Sequence, residues 1–122
     1  NRLGGYYVQG RDLEDKNRIL SEAKQLENAG AEIILLECVP ASLAEEISSS
    51  LSIPTIGIGA GSATDGQIMV CYDAIGAYIW DDQPQPKFVK NFMNESNSIF
   101  EAFEKYVSEV KSLKFPSDDH SF

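Results

Sequence analysis

One acidic side chain, Glu37, closes the most apolar run of the chain, Ile33-Ile34-Leu35-Leu36. Removing an ionised carboxylate from water is costly unless it is paired or its pKa rises. A partly buried carboxylate with a raised pKa is a general base. It can take a proton near neutral pH, including one on a carbon next to a carbonyl. The competing reading is a structural carboxylate held by Lys, Arg or a helix N-terminus. Two further places offer chemistry. The alternating glycines of Gly57-Ile58-Gly59-Ala60-Gly61 could bring backbone N–H groups to an anion, or they could simply allow close packing after a strand. Their spacing is not that of a dinucleotide-binding loop. Asp73 could be a ligand or hydrogen-bond acceptor, or the residue that ends a strand. Tyr6, Tyr7 and Trp80 could line a flat-substrate pocket, with ordinary packing as the alternative.

These groups need elements to hold them. Four large aliphatics before Glu37 predict a strand over residues 33–39, buried on both faces as in a helix-covered parallel sheet. A helix precedes it, with Asp12 as N-cap, Glu14 and Asp15 in the first turn and Gly30 as the stop. Leu13, Ile19, Leu20, Ala23, Leu26 and Ala29 form its apolar stripe. Pro40 ends the strand, and Ser42 is the candidate cap of a second helix reaching about residue 50, with Leu43, Ile47 and Leu51 inward. Residues 53–59 predict a second buried strand, and residues 67–73 a third that carries Asp73 at its C-terminal end. Residues 74–87, with Pro84 and Pro86, read as loop. A single long helix is predicted over residues 89–111, with Phe92, Ile99, Phe100, Phe103 and Val107 on one side. The tail around Asp118 and Asp119 reads as a solvated end. Helices alternating with buried strands specify parallel α/β structure, with candidate sites at the C-terminal strand ends.

The 122 residues suffice for one core, with ordinary hydrophobic (43%) and charged (24%) fractions. A formal net charge of −9 argues against a nucleic-acid surface, which needs a basic face. No apolar run approaches the roughly 20 residues of a membrane span. Cys38 and Cys71 read as small buried hydrophobes, and two cysteines with one histidine make no zinc pattern. The opening Asn1, running straight into Gly4-Gly5-Tyr6-Tyr7, reads as the middle of a protein. Three parallel strands cannot close a barrel, which again suggests part of something larger.

Six stretches in order carry a resemblance: Gly4-Gly5-Tyr6-Tyr7-Val8-Gln9-Gly10-Arg11, Leu36-Glu37-Cys38-Val39-Pro40, Ile56-Gly57-Ile58-Gly59-Ala60-Gly61, Thr64-Asp65-Gly66-Gln67, Pro86-Lys87-Phe88-Val89-Lys90, and Phe115-Pro116 with His120-Ser121-Phe122. The chain resembles the C-terminal half of ketopantoate hydroxymethyltransferases over essentially its whole length. The resemblance implies an α/β fold, residues 1–122 being the last three strands of a (β/α)8 TIM barrel with their helices. It implies transfer of a hydroxymethyl group from methylenetetrahydrofolate to α-ketoisovalerate, in pantothenate biosynthesis. Glu37 matches the position of the family's catalytic base. The family's Mg2+ polarises the keto acid, and its ligands would lie in the N-terminal half, so none is expected here. No cofactor-binding residue is assigned on this chain. A cytoplasmic homo-oligomer is expected, without nucleic-acid or membrane partners. The resemblance departs at Tyr72-Asp73, where the family has a His-Asp pair, and in the acidic, aromatic loop that follows.

Two alternatives remain open from the residues. One is a metal-dependent carbon–carbon lyase or mutase on a similar barrel. The other is a non-catalytic half-barrel that associates through its open edges. On the resemblance, the isolated chain is expected to be inactive, because the family's metal ligands would lie outside it.

Overall fold

Side-chain alternation along the first strand decides the architecture. In β1 (Ile34–Glu37), Ile34 and Leu36 are buried while Leu35 and Glu37 are exposed. This period of two marks a sheet with one covered face. The structure, a computed structural model, describes residues 7–78, 80 and 84–122. β1 pairs in parallel with β2 (Thr55–Ile58), placing Ile34 opposite Thr55 and Glu37 opposite Ile58. β2 pairs in parallel with β3 (Gly66–Gln67), so the sheet order is β1-β2-β3. Parallel neighbours need a crossover, which α2 (Ala41–Ser50) supplies between β1 and β2. The chain is therefore α/β with three parallel strands. Burial of residues 33–36 on both faces is not found. Ile33 is 60% and Leu35 52% exposed, because the helices cover only the face of Ile34 and Leu36.

α1 (Leu13–Asn28) begins and ends on the predicted residues. Asp12 Oδ1 accepts the Asp15 N–H at 2.8 Å, and Gly30 stands beyond the helix at φ +97°, a left-handed conformation that glycine adopts without penalty. The inward stripe is narrower than predicted. Ala23 is buried and Ile19 and Leu20 pack beside it, whereas Leu13, Leu26 and Ala29 are exposed. In α2, Leu43, Ala44 and Ile47 are fully buried and Leu51 packs against them. Each large aliphatic so buried contributes about 1.5–3 kcal/mol. Ser42 is not the cap. The helix starts two residues earlier than that cap would give, after Pro40, whose carbonyl accepts from both Leu43 and Ala44 N–H at 3.0 Å.

The predicted third strand is mostly absent. β3 has two residues, and Cys71–Ala74 form a short helix, α3. β2 offers a partner only as far as the Ile68 N–H, which donates to the Gly57 carbonyl at 3.0 Å. Beyond that point the glycine turn leads the chain away. The Asp73 and Ala74 N–H groups bond instead to the Val70 carbonyl, and Gly76 at φ +65° closes the turn.

The predicted long helix is also divided. Phe92–Glu95 form a 3-10 turn, and α4 runs over Ile99–Lys111. Asn94-Glu95-Ser96-Asn97-Ser98 is rich in side chains that compete for backbone groups. Ser98 Oγ caps the new helix by accepting the Glu101 N–H at 3.1 Å, and Glu101 reaches back to the Asn97 N–H at 2.7 Å. The face of α4 is reversed from the expectation. Ala102, Tyr106 and Val110 pack inward with Phe92, Phe115 and Ala74, while Ile99, Phe100, Phe103 and Val107 are exposed.

The α1–α2 unit is tied to the sheet by Glu27. Its carboxylate accepts from the Ser52 N–H and Ser52 Oγ, both at 2.6 Å, and pairs with Lys24. These bonds, Lys24 first and then Ser52, hold its pKa down to about 2 from the usual 4.5. A depressed folded-state pKa gives stability that is complete above the unfolded value and lost as pH falls through the folded one. The expected result is a stability gap between the native chain and Glu27→Gln that is constant near neutrality and closes between pH 4.5 and about 2. Urea titrations across that range check it, and a gap that persists in full at the acid end would refute it.

Candidate functional site

Glu37 occupies the last position of β1 on the uncovered face, exposed and in register with Ile58. The burial expected for it is not present on this chain. The residue after it is unusual. Cys38 adopts φ +53°, a left-handed conformation that costs a residue with a Cβ of order 1–3 kcal/mol and persists only where the surroundings over-determine it. Those surroundings are visible. The Cys38 N–H donates to the Ile58 carbonyl at 3.0 Å, and the Cys38 carbonyl accepts from the Gln9 N–H at 2.9 Å. Its side chain, 4% exposed, packs with Ile58, Phe88 and Val89, flanked by Trp80 and Phe122. Burial, then the nearby Glu37 charge, pushes the Cys38 thiol up to about 11. It stays protonated at neutral pH and serves packing, as expected. Cys71 does not, because it lies exposed at the start of α3.

The glycine turn follows β2 at the same edge, and packing explains it. A methyl on Gly57 would approach Thr64 Oγ1 to 2.8 Å, on Gly59 the Phe88 ring to 2.9 Å, and on Gly61 the Ala41 Cβ to 2.5 Å. Gly59 and Gly61 also have positive φ, +62° and +75°. The Gly61 carbonyl accepts from Gln67 Nε2 at 2.9 Å, and that same nitrogen meets Thr64 Oγ1 at 2.8 Å. Close protein neighbours therefore account for all three glycines.

Asp73 does not end a strand as Glu37 does. It is buried on α3, where desolvation raises its pKa, and its neighbour Ala74 belongs to the Phe92 cluster. Tyr7 is exposed, whereas Trp80 packs on the Cys38–Phe88 cluster and meets Tyr78 edge-on at 4.5 Å. Tyr6, with Gly4 and Gly5, lies outside the described residues, as do parts of the predicted loop (79 and 81–83). Among the described residues no group of three or more His, Cys, Asp and Glu side chains could hold a metal ion. A magnesium ion therefore does not fit on these residues by themselves. No helix among them is long and apolar enough to cross a membrane.

Two contributors escaped the sequence reading. Asp65 accepts the Thr55 N–H at 2.8 Å and its hydroxyl at 3.1 Å, which anchors the start of β2 and lowers the Asp65 pKa. The tail is no loose end either. Phe115 and Pro116 are buried, Asp118–His120 form a 3-10 turn, and the Phe122 oxygen accepts the Ala41 N–H at 2.8 Å. Asp118 and Asp119 themselves are exposed, so their charge alone suggested a solvated end.

The sequence that folds in this way matches a known family. The family model described as ketopantoate hydroxymethyltransferase matches residues 1–118. The chain belongs to this family. It is 52% identical over 122 residues to the 3-methyl-2-oxobutanoate hydroxymethyltransferase of Pseudomonas fluorescens (strain SBW25), covering all of this chain and 45% of that protein. Against the enzyme of the same name from Carboxydothermus hydrogenoformans the identity is 51%, over all of this chain and 43% of the relative. A probable enzyme of that name from Schizosaccharomyces pombe is 48% identical, with 45% of its length covered. The chain thus spans less than half the length of these curated ketopantoate hydroxymethyltransferase relatives.

Proposed function

We propose that this chain is the proton-transfer portion of a ketopantoate hydroxymethyltransferase, and that residues 1–122 form the C-terminal half of a single (β/α)8 barrel domain. The observation that carries this reading is Glu37. It stands at the C-terminal end of a parallel strand, on the sheet face that the helices leave open, with Leu35 and Ile33 along the same face. An apolar, uncovered sheet face is what a barrel interior becomes when only part of the barrel is present.

In this reading a Glu37 oxygen accepts the proton from the carbon next to the keto group of α-ketoisovalerate. The resulting enolate carbon bonds to the one-carbon unit of methylenetetrahydrofolate once water has supplied its hydroxyl oxygen, and the carbon–nitrogen bonds to the folate break so that tetrahydrofolate leaves. Leu35 and Ile33 keep water from that side of the strand once the remainder of the barrel covers them, which strengthens the carboxylate as a base. Mg2+, the metal this reading includes, would be held by residues outside this chain. A cytoplasmic homo-oligomer belongs to the same reading.

The isolated chain is expected to form no ketopantoate. It exposes Ile33 and Leu35 to solvent, and its described residues hold no metal-ligand cluster. Grafted in place of the matching portion of the Pseudomonas fluorescens relative, it is expected to restore ketopantoate formation from α-ketoisovalerate and methylenetetrahydrofolate. Turnover by the chain alone, or a folded chimera without turnover, would sink this reading.

A further inference from the structure

The strand end that carries Glu37 is held from three directions, and one of them is residues 117–122. This segment takes no part in the proton transfer, yet it folds back across the ends of β1 and β2. The Phe122 oxygen accepts the Ala41 N–H at 2.8 Å, four residues after Glu37. The Phe122 ring lies against Phe88 at a centroid separation of 6.4 Å, and its edge stands 3.2 Å from where a methyl on Gly59 would be. It completes the cluster that encloses Cys38.

The segment is itself fastened. Lys87 Nζ donates to the Ser121 carbonyl and sits 5.9 Å from the Phe122 ring centroid. Ser121 Oγ donates to the Ser117 carbonyl at 2.8 Å, and Ser117 Oγ meets His120 Nδ1 at 2.8 Å. The His120 ring packs edge-on against Phe115 at 5.1 Å.

We infer that residues 117–122 are a strap, and that Phe122 is a positioning residue for Glu37. It acts through Ala41 and the Cys38 cluster. The left-handed turn at Cys38 redirects the chain immediately after Glu37, so the aim of the carboxylate depends on that turn keeping its shape. A strained conformation relaxes when the contacts imposing it are removed. Ile58 and Gln9 bind the Cys38 backbone, but the far side of the turn, at Ala41, is bonded to Phe122. Without the strap, residues 38–41 gain freedom and the proton acceptor loses its fixed direction. The strap itself is read from contacts on this chain; its effect on the reaction rests on the proposed role of Glu37.

The test has two arms. In the chain itself, Phe122→Ala is expected to raise amide exchange at Ala41 and the reactivity of the Cys38 thiol by about tenfold or more, with exchange at Leu36 and Ile47 unchanged, as for a local opening. Phe122→Leu, which keeps an apolar side chain, is expected to restore most of the protection and guards against a variant that fails to fold. In the chimera with the Pseudomonas fluorescens relative, Phe122→Ala is expected to lower kcat about tenfold or more with KM for the keto acid little changed, since a misaimed base weakens the transition state more than binding. Unchanged exchange at Ala41, or equal acceleration across the core, overturns the strap. A local opening that leaves kcat intact overturns the positioning role. An inactive chimera before any Phe122 change counts against the proposed function instead, and the exchange arm still decides the strap.

Discussion

Glu37→Gln in the active chimera is expected to abolish exchange of the α-ketoisovalerate proton with solvent, lowering it by about 10²–10⁴-fold, the usual contribution of a positioned general base. The amide is nearly isosteric with the carboxylate but cannot accept the proton. Glu37 is exposed, and no ion pair or side-chain hydrogen bond joins it to another described residue. In the chain by itself folding should therefore survive the change, with the unfolding free energy within the roughly 0.5 kcal/mol typical of surface substitutions. That separation gives the measurement its force. A structural carboxylate would show the opposite pattern, losing stability while exchange continued. Isotope exchange followed by NMR on the keto acid reads the rate directly, and equal rates in the two proteins would remove Glu37 from the mechanism.

Glu37 was legible in the sequence through its neighbours, whereas the state of its surroundings was not. Four aliphatics in a row look alike whether both faces of a strand are covered within the chain or one awaits cover from elsewhere. Only Ile34 and Leu36 find helices here. The glycine turn shows a similar ambiguity. Alternating glycines signal close approach, but whether the approaching group is a ligand or Ala41 and Phe88 depends on contacts far apart in sequence. The α1 boundaries were readable because Asp12 and Gly30 act locally. Ser98-Ile99-Phe100-Glu101 carried an equally local start signal for α4, masked by the apolar residues on both sides of it. The turn at Cys71–Ala74 had no such signal. A strand pattern there failed because β2 ends before it can supply partners. The strap at residues 117–122 was the least legible feature, since its side chains show no period and its bond to Ala41 is made by a backbone oxygen.

The largest expected loss of stability lies at Phe92, at the centre of the cluster that joins α4 to the rest. The side chain is 0% exposed. Its ring meets Tyr106 at 5.5 Å and Phe115 at 5.4 Å, both edge-to-face, and Lys90 Nζ lies 4.9 Å from its centroid. Lys90 is also paired with Glu109 of α4 at 2.7 Å, so the ring sits beneath an ion pair that bridges two segments. Phe92→Ala is expected to cost about 3–5 kcal/mol, combining lost transfer energy with the cavity left behind. The aromatic pairs add about 0.5–1.5 kcal/mol each beyond area alone. Phe92→Leu should recover much of that, since it refills most of the volume. The effect should extend to β3, because Tyr106 also donates its hydroxyl to the Gln67 carbonyl at 2.9 Å. Freed from Phe92, Tyr106 can tilt and that bond weakens. Denaturant unfolding with tyrosine fluorescence, together with amide exchange at Ile68, measures both consequences. A loss below about 1 kcal/mol, outside the range for a buried Phe, would show that α4 does not depend on this cluster for its place on the sheet.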